Sequence, residues 1–105
     1  MSAWCRYEIL LPLRFDDGRP VPDALLAQTL RELRERFVAA SWETQRIRGQ
    51  WEHQGRLYCD ELTRFFVDIE DSPQNREFFR AYKERLKGRF GQIDIWLTVL
   101  PITAL

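Results

Sequence analysis

Four strand-like and two helix-like segments follow one another in the order β-α-β-β-α-β. That order predicts an α+β, ferredoxin-like sandwich: a four-stranded antiparallel sheet with two helices on one face. Two further observations support it. Residues 48–67 read as one long β-hairpin, and each helix-like segment carries a single apolar stripe, so each can cover one surface only. The 105 residues fit a single α+β domain.

Residues 7–13 alternate as the first strand, with Tyr7, Ile9, Leu11 and Leu13 on one side and Arg6, Glu8, Leu10 and Pro12 on the other. Asp16, Asp17, Gly18 and Pro20 are turn chemistry. Pro22 suits the first turn of a helix, and Asp23 favours its positive end. Leu26, Leu30, Leu33 and Phe37 recur at helical spacing, with Arg31, Glu32, Arg34, Glu35 and Arg36 mostly turned to solvent. Residues 38–41 lead out of this helix. The hairpin turns at Gln54 and Gly55, glycine supplying the positive φ that a tight turn needs. Trp51 then faces Tyr58, Gly49 faces Asp60, Arg48 faces Glu61, Ile47 faces Leu62 and Arg46 faces Thr63, unless a bulge intervenes.

Ser72 is the expected cap of the second helix, with Pro73 at its first position. Phe79, Tyr82, Leu86 and Phe90 form its stripe, and Gly91 stops it. Ile93, Ile95, Leu97 and Val99 alternate in a last strand against Asp94, Trp96, Thr98 and Leu100, with Pro101 closing it. In the strand order 4-1-3-2, Cys5 and Cys59 fall toward opposite ends of neighbouring strands, too far apart for a disulfide.

The faces carry the functional argument. Tyr7, Ile9, Leu11, Phe65, Val67, Ile69, Ile93, Ile95, Leu97 and Val99 are expected to meet the helices. The opposite face then carries Leu10, Ile47, Trp51, Tyr58, Leu62, Phe66, Trp96 and Leu100. Half of those left exposed would exceed the few hundred Å² of apolar patch that a monomer usually shows. A homodimer formed through this open face follows, with Trp51, Tyr58, Leu62, Phe66 and Trp96 as its ligand or interface residues. The competing arrangement folds residues 102–105, or the loop at 14–21, over the same surface.

Composition bounds the partners. Lys plus Arg equals Asp plus Glu at 16 each, so charge gives no reason to expect a nucleic acid or a membrane surface. Arg64, Phe65, Phe66 and Val67 only faintly echo the aromatic consensus of RNA-binding sheets. Two cysteines, no signal peptide and no membrane-length apolar run make the cytoplasm the expected location. The five glycines are scattered, so no phosphate-binding loop forms. The lone His53 has no zinc-like spacing to Cys59, and no metal or cofactor is expected. The second helix carries a basic surface in Arg76, Arg80, Lys83, Arg85, Lys87 and Arg89.

No catalytic motif stands out. Glu61, Arg48 and Arg46 are the catalytic candidates: an acid between two arginines can orient an anion or move a proton. The same residues serve equally as a structural ion pair at the sheet end. Two functions therefore compete. One is a non-catalytic binding or structural module that self-associates. The other is a cofactor-independent enzyme or small-molecule binder, whose pocket is lined by Trp51, Tyr58 and Trp96 and served by Glu61, Arg46 and Arg48.

Arg48-Gly49-Gln50-Trp51, Gly55, Glu61, Thr63, Tyr82, Arg89-Phe90 and Gln92, with Asp17-Gly18 and Pro20-Val21 upstream, resemble the bacterial family known as domain of unknown function 3574. The resemblance spans residues 6–96. It implies one α+β domain in which Gly49, Trp51, Glu61 and Thr63 act together, and it brings no activity with it. Members often carry an export or lipoprotein leader, which is not seen in this sequence.

Overall fold

Alternation along the first strand puts Cys5, Tyr7, Ile9 and Leu11 on one side, and all four are buried. In the computed structural model, which describes residues 3–105, that strand is β1 (Trp4–Pro12). It is followed by α1 (Asp23–Phe37), β2 (Ser41–His53), β3 (Arg56–Glu70), α2 (Pro73–Phe90) and β4 (Leu97–Ile102). The strands form one antiparallel sheet in the order β2-β3-β1-β4. This is the expected ferredoxin-like arrangement. No helix among the described residues is long and apolar enough to cross a membrane.

Register explains the core. Cys5 pairs with Ile69, Tyr7 with Val67 and Ile9 with Phe65, so the buried side chains of β1 and β3 lie in adjacent rows. α2 lays Phe79, Tyr82, Leu86 and Phe90 on those rows, all buried as their spacing requires. The Tyr7 and Phe79 rings stack at 4.0 Å, and Phe37 of α1 stacks on Phe79 at 5.4 Å. α1 adds Leu26 and Leu33, with Leu30 and Phe37 partly buried. Ser72 Oγ accepts from the Asn75 backbone N–H at 3.1 Å, and Gly91 ends α2 at φ 61°.

Glu32 departs from the expected solvent face of α1. Its carboxylate takes a two-pronged contact from Arg89 at 2.7 and 2.9 Å, and Tyr82 Oη donates to it at 2.7 Å. Arg89 also donates to the buried Thr29 hydroxyl at 3.0 Å. The Arg89 guanidinium holds the Glu32 carboxyl below its ordinary value, with help from Tyr82 and against partial burial. This network fastens α1 to α2.

Three boundaries differ from expectation. β2 begins at Ser41, and Trp42 reaches the helix side, where it stacks on Phe65 at 5.3 Å. Arg46 does not pair with Thr63. Glu43 pairs with Arg64 and Ile47 with Leu62, so Thr44, Gln45 and Arg46 bulge opposite Thr63 alone. The surplus is even, so the faces on either side of the bulge are preserved. Thr63 holds the bulge: its buried hydroxyl donates to the Glu43 carbonyl at 2.6 Å and accepts from Trp42 Nε1 at 2.8 Å.

The third difference is at β4, which starts at Leu97 rather than Ile93. Asp94 Oδ1 accepts from the Ile95 backbone N–H at 2.9 Å and pairs with Lys83 at 3.1 Å. That local turn buries Ile95 and leaves Ile93 exposed, while Val99, expected to meet the helices, is exposed on the edge strand opposite Tyr7. Pro101 sits inside the strand opposite Cys5, where an edge position demands no N–H.

Three outcomes follow from this geometry. Glu32 has a depressed pKa in the folded state, so its contribution is present above the ordinary glutamate value of 4.5 and is lost as pH falls through the lower folded value. Urea melts across that acid window will show stability declining in the wild type, and declining less steeply in Glu32→Gln. The Arg89→Met variant will lose about 2 kcal/mol at neutral pH. Val38, which ends α1, holds φ 74°, a value that β-branched residues rarely adopt. Val38→Gly will stabilise the fold by about 1 kcal/mol in the same assay.

Candidate functional site: the open sheet face and its hollows

Both helices lie on the Tyr7–Phe65 side, so the even-numbered residues of β1 and β3 face away from them. The structure divides this open face in two. At one end Arg6 makes a two-pronged pair with Asp68 at 2.7 and 2.9 Å. Arg64 lies 3.7 Å from Glu8 and 3.5 Å from Glu43. Phe66 lies under the Arg6 guanidinium, 4.2 Å from ring centre to carbon. Charged pairs therefore occupy this end of the open face, and Phe66, expected at the interface, is covered by a cation.

The other end is apolar. Leu10, Ile47, Trp51 and Leu62 are half-buried, and Trp96 is 66% exposed. Residues 103–105 stay exposed and the loop at 14–21 has its own contacts: the Phe15 N–H donates to the Arg19 carbonyl, and the Val21 N–H to the Leu13 carbonyl. Leu100 is exposed too, but on the edge strand β4 opposite Arg6, at the charged end.

A cavity of about 300 Å³ opens in this apolar end, lined by Leu10, Gly49, Trp51, Asp60, Leu62 and Trp96 among others. Register builds it: Gly49 pairs with Asp60 and Trp51 with Tyr58, so the hairpin carries these residues beyond the end of β1. Gly49 is the floor, since a Cβ there would meet Leu62 Cδ1 at 3.4 Å. Trp51 is fixed twice, by stacking on Tyr58 at 4.7 Å and by its Nε1 donating to Asp60 at 2.8 Å. The wall on the far side comes from Gln92, Asp94, Ile95 and Trp96, in the segment that precedes β4.

The charged candidates lie elsewhere. Glu61 faces the helix side of the sheet, as does its neighbour Thr63. Register pairs Arg48 with Glu61, as expected, but the carboxylate is met by Arg46 at 3.2 Å and Arg14 at 3.8 Å. Arg14 was not anticipated: it follows β1 in a loop, where periodicity carries no signal. A second hollow of about 510 Å³ includes Arg14, Arg48, Arg56, Tyr58, Cys59 and Glu61. Tyr58 thus borders this hollow rather than the first. Within one chain, Trp51, Tyr58 and Trp96 lie on the open face while Glu61, Arg46 and Arg48 lie on the helix side, because the pleat sends these groups to opposite faces.

Cys59 is exposed opposite Gln50, and Cys5 is buried opposite Ile69, so both thiols are free. Burial, chiefly, pushes the Cys5 thiol up. His53 tilts against Trp51 at 5.8 Å, and no three potential metal-ligating side chains cluster among the described residues. The motif residues split by role: Gly49 and Trp51 shape a cavity, while Thr63 pins the bulge. Glu61 and Arg46 form a solvent-screened pair, so Glu61→Gln will change stability by less than about 1 kcal/mol in urea denaturation. Thr63→Val, which strips partners from Trp42 Nε1 and the Glu43 carbonyl, will cost about 2 kcal/mol.

No family model matches the chain, and no curated protein does. Solved structures do. A phage SAM lyase in complex with S-methyl-5'-thioadenosine superposes with a TM-score of 0.69 at 17% identity, covering 99% of this chain and 92% of that one. The divalent cation tolerance protein CutA1 from Thermus thermophilus has a TM-score of 0.64 at 16% identity, covering 96% and 85%. CutA from Synechococcus elongatus has a TM-score of 0.60 at 12% identity, covering 97% and 79%. At such identities the likeness is one of fold: this chain has the ferredoxin-like architecture that these proteins share.

Proposed function

We propose that this protein is a binding or structural module that self-associates, as a homodimer, through the apolar half of its open sheet face. One observation carries the reading: both helices sit on the other side, and no segment of the described chain fully buries Leu10, Leu62, Trp51 or Trp96. Burying a large apolar side chain contributes about 1.5–3 kcal/mol, so a few of these meeting their symmetry copies would hold a pair together. The ion pairs at the Arg6–Asp68 end would lie at the rim, where charges fix register more than affinity. The separation of the Glu61 arginine cluster from the aromatic cavity favours a module over a catalyst.

A second reading rests on the cavity itself. Its volume of about 300 Å³ falls at the lower end of small-molecule sites, and its walls are mostly apolar with a few polar groups. A partner copy on this face would roof it, so the two readings are compatible. The phage SAM lyase structure holds S-methyl-5'-thioadenosine, which makes that nucleoside a reasonable first probe. Membership of the domain of unknown function 3574 family is part of the proposal, supported by the spacing of Gly49, Trp51, Gly55, Glu61 and Thr63. A cytoplasmic setting is supported by the two free thiols.

Light scattering across a concentration series tests self-association. The wild type will show a mass above 12.6 kDa, and Trp96→Lys and Leu62→Asp will each return it toward the monomer. A wild type that stays monomeric at millimolar concentration, or variants with undiminished mass, would remove the reading.

A further inference from the structure

The cavity on the open face has a charge character that its apolar walls do not by themselves require. Every formal charge among its lining residues is negative: Asp60 on the hairpin side and Asp94 on the far side. No lysine, arginine or histidine lines it. Asp94 is compensated from outside the lining by Lys83 at 3.1 Å. Asp60 is not. It is half-buried, it accepts one hydrogen bond from Trp51 Nε1 through Oδ2, and although it also borders the second hollow, with Arg14, Arg48 and Arg56, it forms no ion pair among the described residues. Such a carboxylate is available as counter-ion to a cation that enters the cavity. Two indoles line the cavity, Trp51 beside Asp60 and Trp96 on the far side, and indole faces attract cations most strongly of all the side chains. The acceptance of the indole N–H by Asp60 holds the Trp51 ring in place and turns its edge, not its face, to the carboxylate.

We infer that the cavity between Trp51 and Trp96 is a site for an organic cation, a small molecule bearing a quaternary or protonated amine, with Asp60 as counter-ion. The inference deepens the small-molecule reading and rests on it. Aromatic faces supply the attraction for the charged head, Leu10 and Leu62 take the apolar body, and Gly49 keeps the floor open by omitting a side chain beside Leu62. Trp96, exposed at the rim, gives the site its entry side and its optical reporter.

The probe pair is (4-hydroxymethylphenyl)trimethylammonium and its uncharged isostere 4-tert-butylbenzyl alcohol, titrated into the full chain and followed by tryptophan fluorescence and by indole proton shifts. The expected result is binding of the cation at least tenfold tighter than the isostere. In Asp60→Asn, which keeps an acceptor for Trp51, that ratio will fall several-fold, to the preference the indole faces supply alone, while the isostere binds as before. In Gly49→Leu both probes will be lost, with the far-ultraviolet circular dichroism unchanged. Equal affinity of the two probes for the wild type overturns the cation assignment and leaves a small-molecule pocket standing. A preference undiminished in Asp60→Asn overturns the role given to that carboxylate. Absence of binding by either probe overturns both the assignment and the pocket reading.

Discussion

Two helices can roof a four-stranded sheet from one side only, and that geometric fact governs everything else about this protein. α1 and α2 supply Leu26, Leu33, Phe79, Tyr82, Leu86 and Phe90 to a core that closes over Tyr7, Ile9, Phe65 and Val67. The pleat then commits alternate residues to the opposite face, whatever their chemistry. Some of those are charged and satisfy one another, as Arg6 and Asp68 do. Others are large and apolar, and no third layer among the described residues covers them.

The long β2–β3 hairpin sharpens this division. Beyond the end of β1, its two faces no longer have the same neighbours. One turns Arg48, Cys59 and Glu61 toward the Arg14 loop, and the other turns Gly49, Trp51 and Asp60 toward Trp96. A hairpin of this kind can carry two unrelated sites on one ribbon. The bulge at Thr44–Arg46 changes pairing without exchanging the faces, and Thr63 stitches it by two hydrogen bonds, so the distal register is held from the core. Fold neighbours as different as a phage SAM lyase and a divalent cation tolerance protein show the same frame at 16–17% identity. Function on such a frame lies in the residues that the hairpin and the segment before β4 present.

The order of elements, the helix stripes, the Ser72 cap, the Gly91 stop and the hairpin register from Ile47 to Trp51 were legible in the sequence because each depends on local spacing or local backbone chemistry. What was not legible depended on contacts between distant segments. Glu32 reads as a solvent-facing helix residue until Arg89, 57 positions away, packs against it. The bulge leaves no mark in a run as polar as Glu43-Thr44-Gln45-Arg46, so Arg46 and Thr63 could not be separated in advance. Ile93 and Ile95 alternate as a strand would, yet Asp94 bonding its neighbour's N–H delays β4 to Leu97. The site followed the same rule: Trp51 and Trp96 were visible as outer-face aromatics, whereas the lone charge of Asp60 emerged only once its neighbours were placed.

The central claim is that the Trp96 end of the outer face is covered in solution although the described residues of one chain leave it open. Hydroxyl-radical footprinting across a dilution series measures this directly, with Trp4 as a reference at the opposite end of the sheet. The account predicts that Trp96 oxidises slowly in concentrated protein and approaches the reactivity of Trp4 on dilution. Trp96 reacting at least as fast as Trp4 at every concentration would contradict it.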